Sequence, residues 1–466
     1  MDPRTRTLLE APIGPTLLRL ALPNVIVMAV QASIGLIETS FIAKLGTDAL
    51  AGMALVFPIL MLIQMVSAGA MGGGILSAVA RTLGSDRRHE AGTLVWHAVA
   101  IAVGLGIATS VAALAGGATL YALMGGRDGS LAAAMAYSNL VFLGAIPLWL
   151  YNSLAAVIRG TGNMAVPASV TAVGALILIP LSPALIFGWG PFPHLGITGG
   201  ATAVVLFYTI GSAVFAWFLW SGRGVLRPPL RPARLRWAPT REILRVGAVS
   251  SLVSVSTNVS IATATGLVGG FGPAAVAGFG TGARLEYLLV PLVFGLGAPL
   301  AAMVGTAIGA GRRERALRVA WTGGIIAGAV TEAIGLAGAF YPQTWLTLFG
   351  ADPTMSAVGT QYLHIVGPCY GFFGLGLALY FASQGAGRLR WPLFAAALRV
   401  TIAAGGGWLA LHWWGNLAGV FAALACALAA FGIVNAAAIA GGVWFGQAQP
   451  KPQSIAPALA TAKGEP

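Results

Sequence analysis

Three acidic side chains stand inside long apolar runs of the sequence: Glu38, Glu286 and Glu332. An ionisable group in hydrocarbon is costly to keep, so each is a functional candidate by default. Glu38 closes a polar stripe: Asn24, Gln31 and Glu38 recur every seven residues, close to two helical turns, and therefore share one helix face. Burial penalises the charged form of a carboxylate, so an acid held in a desolvated cleft can take up a proton near neutral pH and exchange it for another solute. Glu286 lies two residues from Arg284, and residues two apart on a helix do not face each other; they need separate partners. Glu332, among apolar neighbours, has the setting of a structural hydrogen-bonding acid. The sequence has no Walker-type phosphate loop, HExxH, GxSxG or paired DxxxD motif, so an embedded ATPase, hydrolase or prenyltransferase is not expected. Cys369 and Cys426 sit in apolar runs without CxxC spacing, which leaves no disulfide framework or thiolate metal site. No metal or cofactor beyond an ion gradient is expected, and the chain does not read as an enzyme.

The elements that must position these acids are membrane helices. Of 466 residues, 57% are hydrophobic and 8% charged, against about 25% charged in soluble domains. A spanning helix needs about 20 apolar residues, and twelve stretches qualify: 17–43, 50–80, 91–122, 131–158, 165–188, 197–220, 242–269, 276–308, 317–340, 355–383, 391–412 and 417–446. They do not alternate as the strands of a membrane barrel do. The fold class is all-α, with twelve transmembrane helices. No cleavable-leader pattern precedes the first stretch, so that span is expected to be retained.

Arginines gather at one side of these spans: Arg4, Arg6 and Arg19; Arg81, Arg87 and Arg88; Arg159; Arg223 to Arg245; Arg312 to Arg318; Arg388 and Arg390. The intervening loops hold only Lys44 and Arg127 as cations. The positive-inside rule then puts both termini in the cytoplasm. The net charge of +13 belongs to lipid-facing loops, and nucleic acid is not an expected partner. The organisation expected is a cytoplasmic segment at 1–16, a first lobe at 17–220, a basic linker at 221–241, a second lobe at 242–446 and a disordered tail at 447–466.

The two halves superimpose at an offset of 225 to 226 residues. LLRLALPN at 17–24 meets ILRVGAVS at 243–250, and LGTDALAG at 45–52 meets FGPAAVAG at 271–278. Trp96 meets Trp321, Tyr137 meets Tyr362, and Gly160, Gly162 and Pro167 meet Gly385, Gly387 and Pro392. Six spans per half make the repeats parallel, a transporter architecture with the site between rocking lobes. The stripe on span one becomes Ser250, Thr257 and Ala264 in the second half, so the lobes match in outline and differ in charge. Pro23, Pro58, Pro147, Pro291 and Pro368 are candidate bending points.

The segment LALPNVIVMAVQASIGLIETSFIAKLGTDALAGMALVFP resembles the opening of MATE (multidrug and toxic compound extrusion) transporters, and VIRGTGNMAVP, LGITGGATA, GARLEYLLVPLVFGLGAPLAAMVGTAIGAGRR and SQGAGRLRWP extend the resemblance over most of residues 10–446. The ARLE stretch resembles the DinF-like branch. The resemblance implies an antiporter of the bacterial-type inner membrane that exports small lipophilic or cationic compounds against inward proton or sodium flow. The family's membrane aspartate in the first helix falls at Glu38. Two span-five positions that carry asparagine and aspartate in DinF-like relatives fall at Leu178 and Ser182. Sodium wants several oxygen ligands, so protons become the expected coupling ion, with Na+ at Glu38 the alternative. Tyr137 matches a tyrosine near the family's first-lobe site, and Asn139, Asn152 and Ser182 are candidates to line the same cavity. Ser250, Thr257, Arg284 and Glu286 are candidates in the second lobe. The acidic position of the NorM-like branch falls at Val253, which argues against that branch. A monomer is expected. A lipid-linked precursor flippase is the alternative, weakened because only Arg284 and Arg399 are cations well inside a span.

Overall fold

In lipid every backbone polar group must be satisfied within the protein, which restricts open-ended spans to helices, and helices account for the chain. The structure, a computed structural model, describes residues 2–232, 234–350 and 352–445; of residues 29–36 and 287 it describes the backbone only. The expected tail at 447–466 lies outside the described residues. A short helix α1 (Pro3–Glu10) is capped by Asp2, which accepts the Arg4 N–H at 2.9 Å. The first lobe follows as α2 (Ile13–Ala43), α3 (Thr47–Gly84), α4 (Arg88–Leu123), α5 (Asp128–Leu143), α6 (Ala145–Gly160), α7 (Ala165–Phe187) and α8 (Ile197–Trp220). The second comprises α9 (Trp237–Gly269), α10 (Pro273–Gly309), α11 (Arg313–Phe340), the short α12 (Pro342–Leu346), α13 (Pro353–Ala386), α14 (Arg390–Trp414) and α15 (Leu417–Ala440).

Ten of these helices are long and apolar enough to cross a membrane among the described residues, and α5 with α6, bent by 51° at Gly144, makes an eleventh span. With α2, 31 residues long, the chain is a twelve-helix, two-lobe membrane protein. Pro147 has no N–H for the carbonyl four residues back, so the break at Gly144 precedes it; the Phe142 carbonyl accepts from Ser110 at 2.6 Å and that of Pro147 from Ser212 at 2.9 Å. Pro368 likewise falls in a 3-10 turn, Gly367–Cys369, within α13. Pro23, Pro58 and Pro291 sit inside continuous helices.

The helix boundaries trim two expected segments. Residues 237–241, read from their basic and proline-rich composition as linker, form the first turn of α9, where a proline costs no helical hydrogen bond. Residues 13–16 belong to α2 rather than to a leading segment. What is left of the linker lies on α4: Trp96 donates to the Pro229 carbonyl at 2.9 Å, and the Arg236 N–H donates to His97 Nε2 at 3.1 Å.

The repeat recurs as contacts. Gly46 and Gly272, which match, open α3 and α10 at φ 114° and 96°, a region open to glycine at no steric cost. Gly52 packs on the backbone of Ala134, and its counterpart Gly278 on that of Gly359. Gly160 lies on the Leu76 carbonyl and Gly385 on the Ala301 carbonyl. Across the lobes, Gly84 abuts the Thr306 carbonyl while Gly309 abuts the Arg81 carbonyl. Thr306 and Gly309 are the 225-residue counterparts of Arg81 and Gly84, so this contact is made twice about a pseudo-twofold axis.

The lobes are joined from mid-membrane to the arginine-bearing face. Asn24 donates to the Gly295 carbonyl at 3.4 Å, Ser77 to the Gln384 carbonyl at 2.7 Å, and Arg81 to the Gly385 carbonyl at 2.9 Å and Glu242 at 2.6 Å. Helix α1 is seated there too, with Leu8 and Leu9 buried. Arg312 donates to the Leu9 carbonyl, and Arg315 to those of Leu8 and Ala11, covering carbonyls that a helix end leaves unpaired. Among the described residues no hydrogen bond joins the lobes near the opposite face, where Glu38 lies.

Candidate functional site

Glu38 sits one and a half turns before the end of α2 and is 9% exposed. Tyr137 of α5, fully enclosed, donates its hydroxyl to Glu38 Oε1 at 3.2 Å. Gly200 of α8 closes the third side: a Cβ there would lie 3.3 Å from Glu38 Oε1 and 3.7 Å from the Tyr137 ring. Ile42, Met53, Val56, Val141, Ile186 and Ala201 pack with Tyr137 in one apolar cluster. Among the described residues no lysine, arginine or histidine makes an ion pair with Glu38, and no three acid, histidine or cysteine side chains gather to hold a metal. The result is a lone acid with a neutral donor in an apolar pocket.

The structure separates the stripe on span one. Asn24 is 14 residues from Glu38, about 21 Å along a helix, and is spent on the other lobe; the side chain of Gln31 lies outside the described residues. Ser182 is buried with its hydroxyl unbonded, and Leu178 packs with Leu185 and Ala203. Among the described residues neither makes a hydrogen bond to Glu38. Asn139 is half-buried and makes no hydrogen bond among the described residues.

Asn152 belongs to a second polar group, where it donates to Gln64 Oε1 at 3.2 Å and to Ser67 Oγ at 2.8 Å; Tyr208 donates to the same Gln64 oxygen at 3.3 Å. Beside it α3 passes through a π-helical turn, Met65–Met71, a feature frequent at functional sites. Gln384 from the second lobe reaches this turn, donating to the Gly69 carbonyl at 3.2 Å and to Ser250 Oγ at 2.8 Å. Ser250 therefore belongs to the lobe interface, whereas Thr257 bonds only its own helix, at the Val253 carbonyl. Gln64, Tyr208 and Gln384 were not among the sequence candidates; as polar residues within apolar runs they carried the same signal as Asn152.

In the second lobe Glu286 accepts from Tyr362 at 3.3 Å through Oε2 and from Arg399 of α14 at 3.4 Å through Oε1. Tyr370 donates to the Tyr362 hydroxyl at 3.4 Å. Arg284, expected inside the cavity, is instead exposed with its guanidinium 5.2 Å from the Phe349 ring centre; an arginine stem reaches out of an apolar surface with its head free. Glu332 accepts the Gly371 N–H at 2.6 Å, just past the turn at Pro368, which is the structural pairing its setting suggests.

This geometry, twelve helices in two repeated lobes with one acid buried in the first, can be set beside known proteins. Residues 23–184 and 250–409 match the family described as MatE, one segment in each lobe. The chain belongs to the MATE family. Among curated relatives of this MATE protein are the FAD transporter of Shewanella oneidensis, 28% identical over 81% of this chain and 82% of that one, and a probable multidrug resistance protein NorM of Thermotoga maritima, 24% identical over 83% of each. Among solved structures, a MATE protein in a bent conformation superimposes with a TM-score of 0.86 at 23% identity, covering 93% of this chain and 96% of that one. An outward-facing multidrug resistance MATE transporter gives 0.83 at 22% identity, covering 95% and 99%. At these identities the likeness establishes the fold. As a MATE protein the chain is a multi-pass membrane transporter, not an enzyme.

Proposed function

We propose that this MATE protein is a secondary exporter of small organic compounds in which Glu38 carries the exchanged proton as the two lobes alternate access. The observation that carries the reading is the setting of Glu38: buried, held by Tyr137, and without a basic partner among the described residues. An unpaired buried charge costs several kcal/mol, so closing the pocket over Glu38 and protonating it go together. Opening it to water releases the proton and frees the cavity for a solute. Leu178 and Ser182 supply only one neutral hydroxyl between them, which supports proton over sodium coupling because a hard cation needs several oxygen ligands. The closure at the arginine-bearing face, taken as cytoplasmic from the positive-inside bias in a bacterial-type inner membrane, supports an outward-facing state. The names of the NorM-type relatives support a multidrug range, and the lipophilic or cationic character of the substrates is what the family resemblance implies. A flippase with a cationic cleft is disfavoured, since Arg284 is exposed and Arg399 alone does not make a cationic cluster for a pyrophosphate. Proteoliposomes under imposed gradients test the reading: a pH gradient alone is expected to drive dye transport, and drug addition to release protons. Transport driven by sodium alone would overturn the coupling.

A further inference from the structure

The second lobe encloses a cavity of about 40 Å³ in the positions open to the centre of a water molecule, space for a few waters at roughly 10–15 Å³ each. Its walls include Ser260, Phe279, Glu286, Tyr362, Arg399 and Leu428. Arg399 is 6% exposed, inside the membrane span, with the Phe373 and Phe431 ring centres 5.2 and 5.7 Å from its guanidinium. A guanidinium has five N–H donors. Among the described residues Arg399 makes one hydrogen bond, the 3.4 Å contact to Glu286, far from the short two-pronged geometry of a strong arginine–carboxylate pair. Arg399 lines the cavity, which leaves its other N–H groups to a ligand there. At the matching position the first lobe has Gly174, so this cation is peculiar to the second.

We propose that this cavity is a binding site for the carboxylate group of a small organic acid, seated on the free edge of Arg399 while Glu286 holds a proton. The groups facing Glu286 are Arg399 from α14, Tyr362 and behind it Tyr370 from α13, and across the cavity Ser260 from α9, whose hydroxyl is turned to the Ser256 carbonyl. With Glu286 ionised, Arg399 is neutralised and an entering anion meets a like charge. With Glu286 protonated, its acid proton is shared with the Tyr362 hydroxyl and the guanidinium is left to the ligand. One proton and one carboxylate enter together, and the charge of the site is unchanged. The tyrosines and phenylalanines around it fit the acid's apolar part and exclude a hydrated dianion.

The inference is independent of transport and is tested by binding alone. The purified full-length protein is titrated with acetate and propionate, with chloride as a second arm, in sulfate buffer, following thermal unfolding and calorimetry. Wild type is expected to bind acetate more tightly at pH 5.5 than at pH 8, and E286Q at least tenfold more tightly than wild type at pH 8. The neutral double variant E286Q/R399Q, which leaves no buried charge to destabilise it, is expected to bind none. Acetate binding that survives in the double variant, that is no tighter in E286Q, or that is absent from wild type at both pH values would overturn the site. Chloride binding as well as acetate would overturn the carboxylate assignment.

Discussion

Tyr137 and Tyr362, which stand 225 residues apart at the same place in the two repeats, each donate a hydroxyl to a buried carboxylate, at 3.2 and 3.3 Å. The carboxylates come from different helices, Glu38 from α2 and Glu286 from α10. The second lobe adds Arg399 and the first adds no cation among the described residues. Duplication therefore supplied two equivalent donors, and later divergence gave one an uncompensated acid and the other an ion pair. Only the first must change protonation to change its net charge without moving a cation.

If Glu38 carries the proton, E38Q abolishes pH-driven export while leaving insertion and abundance intact, because a neutral amide of the same shape still accepts from Tyr137. E38D keeps the charge but shortens the arm, and is expected to keep coupling at a rate several-fold lower. Drug-induced proton release from proteoliposomes checks both; release by E38Q equal to wild type removes Glu38 from the mechanism.

Tyr137 donates the one hydrogen bond that Glu38 receives from a side chain among the described residues. Y137F withdraws that donor, worth about 1 kcal/mol, or about 0.7 of a pH unit. The half-maximal pH of transport is expected to shift by about that much, because the donor acts directly on the coupling acid. Y362F acts on an acid already balanced by Arg399 and is expected to leave the profile in place. A pH series of initial rates in the two variants distinguishes them.

Gly84 and Gly309 touch carbonyls across the lobe boundary. G84V or G309V pushes the lobes apart at the arginine-bearing face. In a cysteine-free background, a cysteine placed at Ser77 is expected to react with an aqueous thiol reagent at least tenfold faster in either variant, and unchanged reactivity would mean that these contacts do not hold the face shut.

Glu332 caps the Gly371 N–H. E332Q retains an accepting oxygen and is expected to behave as wild type. E332A strands a partly buried donor at a cost of about 1–3 kcal/mol, lowering thermal stability while the ratio of protons to drug stays the same. A change in that ratio would show that Glu332 belongs to the coupling machinery.

The sequence made the spans legible because the membrane demands continuous apolar runs, and the repeat legible because matched glycines and arginines recur at a constant offset. Glu38 and its match to a family acid were visible for the same reason: charge is rare in such runs. The Glu286–Arg399 pair was not, since the partners lie 113 residues apart on helices whose relative rotation leaves no periodic trace. Arg284 misled because an arginine within an apolar run reads alike whether its face meets the core or the outside. Asn24 was on the predicted face, but a shared face does not bring together groups separated by four turns.

The doubled glycine contact also sets a mechanical limit. Helix α10 has 37 residues, about 55 Å along its axis, and it meets the first lobe from Gly309 and Thr306 at one end to Gly295, which accepts from Asn24, near its middle. The stretch before Gly295, about 33 Å long, is then the long arm of a lever: a spacer one methyl group thick at Gly309 is amplified at its far end. Evolution at residues 84 and 309 would thus tune how wide the distal mouth gapes, and so the girth of what can pass, without touching any residue that meets cargo.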